Sequence, residues 1–310
     1  MAKPKSHKGQ HFVPRTYLAA WCDPDTPEHM EPYVWRFGRT GQSAVKKSPH
    51  NIFKETDFYT IPMPDGSRNL NLEHGLGELE GRFADIRARL ENHSELSAIE
   101  IVSLLAFMVA MSFRTKAYRD FQQSQFMKVF ELADSVAKQF ADGRPGPPNG
   151  ASEPTGVSVN VGDIKEVAER PIQTLLPIQM NATLPVFASM SIAIVETAEV
   201  PGFITSDDPC IWFDPDAYRR PPMYRSPSLM DSDVEVTLPI SPRQMAMLNR
   251  KGVAGYCTAP HRVIEECNRR VVTYADEYVI VSRDMKDEAW FEEREPPEDA
   301  WEKVRSRRKE

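Results

Sequence analysis

Apolar residues recur at intervals of four and three from Leu72 through Leu76, Leu79, Phe83 and Ile86 to Leu90, the spacing of a helix with one buried face. Just beyond it, Ser97 followed three residues later by Glu100 makes a capping box. The helix it opens, Ile101 to Phe113, is apolar nearly all round, so it is expected at the centre of a core. A third helix is expected over about 118 to 141, with Phe121, Phe126, Val129 and Phe130 supplying contacts. Pro171 and Pro177 predict a kink or two pieces in a fourth, near 162 to 180.

Strand patterns flank this helical middle. Aromatic and branched residues between Pro, Asp and Gly predict strands over 10 to 21 and 31 to 38. Residues 62 to 71 are expected to be a loop, with Asn71 as the N-cap of the helix that follows. From Val186 the pattern turns β-rich to Val195, and further strands are expected at 210–213, 234–238, 244–248 and 278–281, with a charged helix over 261–275. A run of helices followed by a run of strands predicts an α+β fold, its helical middle packed on a mainly antiparallel sheet from the N- and C-terminal segments. The expected layout is one domain over 1–283, a Pro/Gly-rich surface loop at 142–158 and a charged tail over 284–310.

Composition narrows the function classes. The chain has 310 residues, 41% hydrophobic, enough for a globular core. A net charge of −7 disfavours a broad phosphate-binding surface, although Lys3, Lys5, Lys8 and Arg15 form a local basic arm. The four cysteines, Cys22, Cys210, Cys257 and Cys267, form no Cys-x-x-Cys pair, and with no apolar segment near Met1 a cytoplasmic location with reduced thiols is expected. The longest apolar run is shorter than the about 20 residues a bilayer needs, so no membrane association is expected. There is no Gly-x-Ser-x-Gly elbow, phosphate loop, dinucleotide fingerprint or His-Glu-x-x-His.

Two segments stand out chemically. In Lys8-Gly-Gln-His-Phe-Val-Pro14, the polar pair Gln10 and His11 abuts core-forming residues; His11 is a candidate base or metal ligand and Gln10 a candidate substrate contact, the bland alternative being that both cap a nearby turn. In Thr205-Ser-Asp-Asp-Pro209, Asp207 is a candidate catalytic acid or metal ligand and Asp208 a further candidate ligand for a divalent ion such as Mg²⁺ or Mn²⁺, with Ser206 as a substrate contact, against an Asx-turn before a proline. Glu80 is a candidate second carboxylate, sharing a helix face with Glu73. Arg114, at the polar end of the apolar helix, is a candidate holder of an anionic group, and Asn268 a candidate ligand contact.

These segments, with Ser48-Pro-His-Asn-Ile52, Tyr59, Leu238-Pro-Ile-Ser-Pro242 and Asn268, resemble the bacterial domain-of-unknown-function family 4238, whose members begin Lys-x-Gln-His-Phe/Tyr-Val-Pro-x-x-Tyr-Leu. The resemblance spans roughly residues 8 to 282 and implies no particular activity. The residues themselves suggest hydrolysis of a phosphodiester in a metal-dependent nuclease or phosphodiesterase, on a small molecule or nucleic acid, provided that the His11 and Asp207 segments converge on one cleft. The alternative is a non-catalytic interaction protein of a defence or stress response, in which the same motifs lock the fold.

Overall fold

The computed structural model describes residues 9–42, 44–141, 160–217, 220, 223 and 226–292; the loop expected at 142–158 and the tail beyond 292 lie outside them. The expected α+β character is present: a helical layer carries the middle of the chain, and two main sheets are mostly antiparallel.

The N-terminal segment departs from its expectation. Strand β1 is only Gly9–His11, and past Pro14 the chain turns into a short helix α1, Arg15–Leu18, and a 3-10 turn at Ala19–Trp21. Tyr17, Leu18 and Trp21 are all fully buried. Their spacing is helical, one face of a turn, and the β propensity of single residues hid it.

Strands β2 (Val34–Gly38) and β3 (Val45–Lys47) follow, then β4 (Lys54–Thr56), which pairs antiparallel with β1 and sets His11 opposite Lys54. The expected loop at 62–71 contains a tight hairpin of β5 (Ile61–Pro62) and β6 (Arg68–Asn69). Helix α2 then runs Asn71–Glu91 and buries Leu76, Phe83, Ile86 and Leu90 as its period requires. Its entry differs from the expectation: Asn69, two residues earlier, accepts the Asn71 amide at 2.9 Å.

Helix α3 (Ala98–Phe113) has the Ser97/Glu100 capping box and is the central core helix, with Leu104, Phe107, Met108, Val109, Ala110 and Met111 at 0–4% exposure alongside Leu105. Phe107 stacks on Phe83 of α2 with centroids 3.8 Å apart. Helix α4 is Lys116–Ala141; Phe121 and Val129, expected as contacts, are exposed on its outer face.

The fourth helix is two pieces, α5 (Val161–Glu169) and α6 (Pro171–Ala188), broken at Arg170 because the proline ring disfavours helical backbone in the residue before it. Pro177 does not break α6, which runs on to Ala188 and delays the next strand, β7, to Ser191–Glu196.

Strands β8 (Thr205–Ser206), β9 (Ile211–Phe213), β10 (Glu235–Ser241), β11 (Gln244–Asn249) and β12 (Gly255–Thr258) lead to helix α7 (His261–Tyr274) and strand β13 (Tyr278–Val281). One sheet has the order β12-β7-β11-β10-β9, and a second joins N- and C-terminal segments as β3-β2-β13-β8. The single expected sheet is thus two, with β12 parallel to β7. Residues 288–290 form a 3-10 turn that buries Trp290 against Phe37, Ile204, Val271 and Val279, so core-forming content extends past residue 283.

Candidate functional site

Among the described residues the candidate site is a cleft of ≈ 610 Å³ whose lining includes Gln10, His11, Thr16, Tyr59, Gly77 and Arg114. Four pieces of sequence build it: β1 and the turn after it, the segment leading to Tyr59, the first half of α2, and the C-terminal end of α3.

Gln10 is the clamp that holds the first three together. Its carbonyl oxygen accepts the Tyr59 amide at 2.6 Å, and its amide nitrogen donates to Thr60 Oγ1 at 3.1 Å and Glu73 Oε2 at 2.7 Å. A buried amide with donors and acceptors both engaged fixes α2 against β1.

Arg114, the C-cap residue of α3, is buried at 1% exposure. Its Nε donates to Tyr59 Oη at 2.9 Å, and one Nη2 serves both the His11 carbonyl and Glu80 Oε1, each at 2.8 Å. Tyr59 Oη donates in turn to the His11 carbonyl at 3.2 Å, and burial pushes the phenol up to about 12. The remaining nitrogen, Arg114 Nη1, is buried with no partner.

His11 presents a second orphan. Its Nε2 is buried without a partner among the described residues, and the backbone of His50 and Pro49 lies near enough to the ring to favour its protonated form. Desolvation is the largest influence on its pKa and Lys54 adds to it, so the pKa is held below the ordinary imidazole range despite that backbone. Neutral at pH 7, the ring can present Nε2 as an acceptor in the tautomer that carries its proton on Nδ1. Thr16 Oγ1 is a third buried, unpartnered atom in the same wall. His50, whose ring centroid is 6.3 Å from that of His11, also lines the cleft.

The second predicted segment lies elsewhere. Ser206, Asp207 and Asp208 are not among the residues lining this cleft. Asp207 is buried, and its carboxylate accepts the amides of Asp276 at 2.9 Å, Glu277 at 2.8 Å and Tyr278 at 2.9 Å, tying the chain between α7 and β13. Burial nevertheless raises its pKa to about 6. Ser206 Oγ accepts the Asp208 amide at 3.2 Å, the Asx-like turn before Pro209. Asp208 is pushed up to about 7 by burial and by the charge of Asp207. Asn268 likewise bonds backbone, accepting from Ile204 N at 3.1 Å and donating to the Gly202 carbonyl at 2.9 Å. No group of three or more His, Cys, Asp or Glu among the described residues is arranged to hold a metal ion.

The two remote segments do meet, but through other residues. Tyr17 Oη lies 2.7 Å from Thr205 Oγ1 and donates to the Pro239 carbonyl at 2.8 Å, and Trp21 Nε1 donates to the Phe203 carbonyl at 2.9 Å. Of the predicted site residues, Gln10, His11, Glu80 and Arg114 share one cleft. Thr16, His50 and His74 were not singled out as site residues from the sequence; the first two stand inside the family-like motifs, which was the available signal.

With the geometry in place, comparison with known families gives one match, over residues 9–285, to a family described as "Protein of unknown function (DUF4238)". The chain belongs to the DUF4238 family. The match covers the helical layer, both main sheets and every residue of the cleft. No curated protein and no solved structure matches the chain. For this DUF4238 member the cleft itself therefore has to carry the functional argument. No single helix among the described residues is long and apolar enough to cross a membrane.

Proposed function

We propose that the cleft is the active site of a hydrolase that acts on a small phosphodiester or other anion-bearing ester, with His11 as general base. The observation that carries this reading is the convergence of three buried, unpartnered polar atoms, His11 Nε2, Thr16 Oγ1 and Arg114 Nη1, in one cleft. Folded proteins rarely leave such atoms unsatisfied, and a bound group that supplies the missing partners removes the penalty. In the proposed reaction His11 Nε2 takes a proton from water as the water oxygen attacks the phosphoryl or carbonyl centre. The imidazolium then returns that proton to the leaving oxygen.

Arg114 Nη1 would hold the charged oxygen of the substrate, already desolvated and pre-positioned by Tyr59 and Glu80. Three carboxylates on α2, Glu73, Glu78 and Glu80, face two guanidinium groups, Arg15 and Arg114, across the lining. That balance suits a substrate with a single anionic group and a donor-bearing body, and repels an extended polyanion.

The test is turnover of bis(p-nitrophenyl) phosphate and p-nitrophenyl esters by the purified chain, with and without Mg²⁺ or Mn²⁺. His11→Ala should lower kcat by about 10²–10⁴-fold with its melting temperature little changed. Equal turnover by the wild type and His11→Ala would remove the assignment. Saturable phosphate binding without turnover would leave a binding protein instead.

A further inference from the structure

At the far end of α2 a second cleft, of ≈ 520 Å³, is lined by Glu91, Glu196, Thr197, Arg243, Gln244 and Thr258 among others. We propose that this cleft binds a primary ammonium group, either of a small amine or of a lysine-like side chain. The inference is independent of the hydrolase reading.

Gln244 supplies the decisive geometry. It is 3% exposed, and its amide nitrogen donates to the Leu90 carbonyl at 3.0 Å and to Glu196 Oε1 at 2.7 Å. Both partners are acceptors, so the orientation of the amide is fixed by its surroundings. Its Oε1 is left buried and without a donor. An unmet buried acceptor points to a donor that the described residues do not provide.

The neighbouring groups have the same polarity. Glu196 spends Oε1 on Gln244 and on His93 Nε2, 3.1 Å away, and its other carboxylate oxygen has no partner among the described residues. Glu91, at the last turn of α2, has only Arg87 Nε, at 4.0 Å, as a partner among the described residues. The carboxyl end of a helix of 21 residues adds its own negative potential at that point. The one lining cation, Arg243, donates Nη1 to the Glu199 carbonyl.

Acceptors from Gln244, Glu196 and Glu91 therefore line a cleft in which they outnumber the single guanidinium, Arg243, and a primary ammonium carries three N–H donors and one positive charge. A quaternary ammonium has the charge without the donors. The two cations thus separate hydrogen-bonded recognition from simple attraction to an acidic surface.

Isothermal titration of the full chain with n-butylammonium, putrescine and tetramethylammonium tests the proposal. One saturable site for the first two, at least tenfold weaker for tetramethylammonium, is expected. Glu196→Gln and, separately, the exposed Glu91→Gln should each weaken binding by about tenfold, corresponding to about 1.4 kcal/mol. Should Glu196→Gln fold poorly, Glu91→Gln decides alone. Absence of saturable binding, equal binding of tetramethylammonium, or unchanged affinity in Glu91→Gln would overturn the proposal.

Discussion

The hydroxyls of Tyr17 and Thr205, 188 residues apart in sequence, lie 2.7 Å from each other in the core. Tyr17 also donates to the Pro239 carbonyl, so one phenol joins the N-terminal segment to β8 and β10. Burial drives the phenol well above its ordinary range, which keeps it a neutral donor. Tyr17→Phe leaves a buried hydroxyl and carbonyl short of a partner and should cost about 1–3 kcal/mol in urea unfolding. The His11 imidazole should be unaffected; a Tyr17→Phe chain as stable as wild type would show that this junction is dispensable.

Gly75 and Gly77 both lie inside α2, and a Cβ added at either meets nothing within 4 Å. Each glycine therefore costs helix stability, about 1 kcal/mol relative to alanine, without relieving a clash. Only Gly77 lines the His11 cleft. Gly75→Ala and Gly77→Ala should both raise the melting temperature, whereas only Gly77→Ala should weaken substrate or phosphate binding. The opposite signs at position 77 distinguish space kept for a ligand from a merely tolerated glycine.

The lowered pKa of His11 predicts a C2–H NMR titration midpoint below 6.5. Because the folded state binds this proton less readily than the unfolded chain, this residue's contribution to stability grows as pH rises from the folded midpoint to about 6.5. Inorganic phosphate bound beside it should move the midpoint upward, since a nearby anion favours the imidazolium. A midpoint unmoved by saturating phosphate would argue against anion binding in this cleft.

Asp207 and Asp208 give a pH dependence of the other sign. Their folded pKa values of about 6 and about 7 exceed the ordinary 3.8, so the stabilisation they give when protonated is complete below about pH 3.8 and lost as pH rises through 6 to 7. Asp208→Asn cannot ionise. In thermal melts between pH 4 and 8 it should flatten the decline and be more stable than wild type at pH 8. An unchanged profile would place the titration elsewhere.

Helix periodicity makes α2 legible, because a buried stripe repeats often enough to outweigh single residues, whereas α3 is legible from its capping box and all-round apolar body and α7 from its charged run. Residues 15–21 were misread as strand because Tyr17 and Trp21 favour β structure singly, while only their four-residue spacing reports the turn that buries both. Four of the eight residues singled out from the sequence line the cleft. Gln10, His11, Glu80 and Arg114 combine unusual chemistry with apolar surroundings, and the fold gathers them. The Asp207 segment has the same signature for a different reason: a buried carboxylate that holds three backbone amides looks, in sequence, like one awaiting a ligand. Partner identity separates the two, and it is a tertiary property.

Arg114 caps α3, and its acceptors lie on β1, the Tyr59 segment and α2, between 34 and 103 residues earlier in the chain. The cation in the His11 cleft consequently comes into register only when four separate stretches dock together. A peptide spanning residues 9–91 would retain Gln10, His11 and all three glutamates of the lining yet lack that guanidinium, so whatever chemistry the cleft performs should switch on with global folding and vanish with any fraying of the α2–α3 contact.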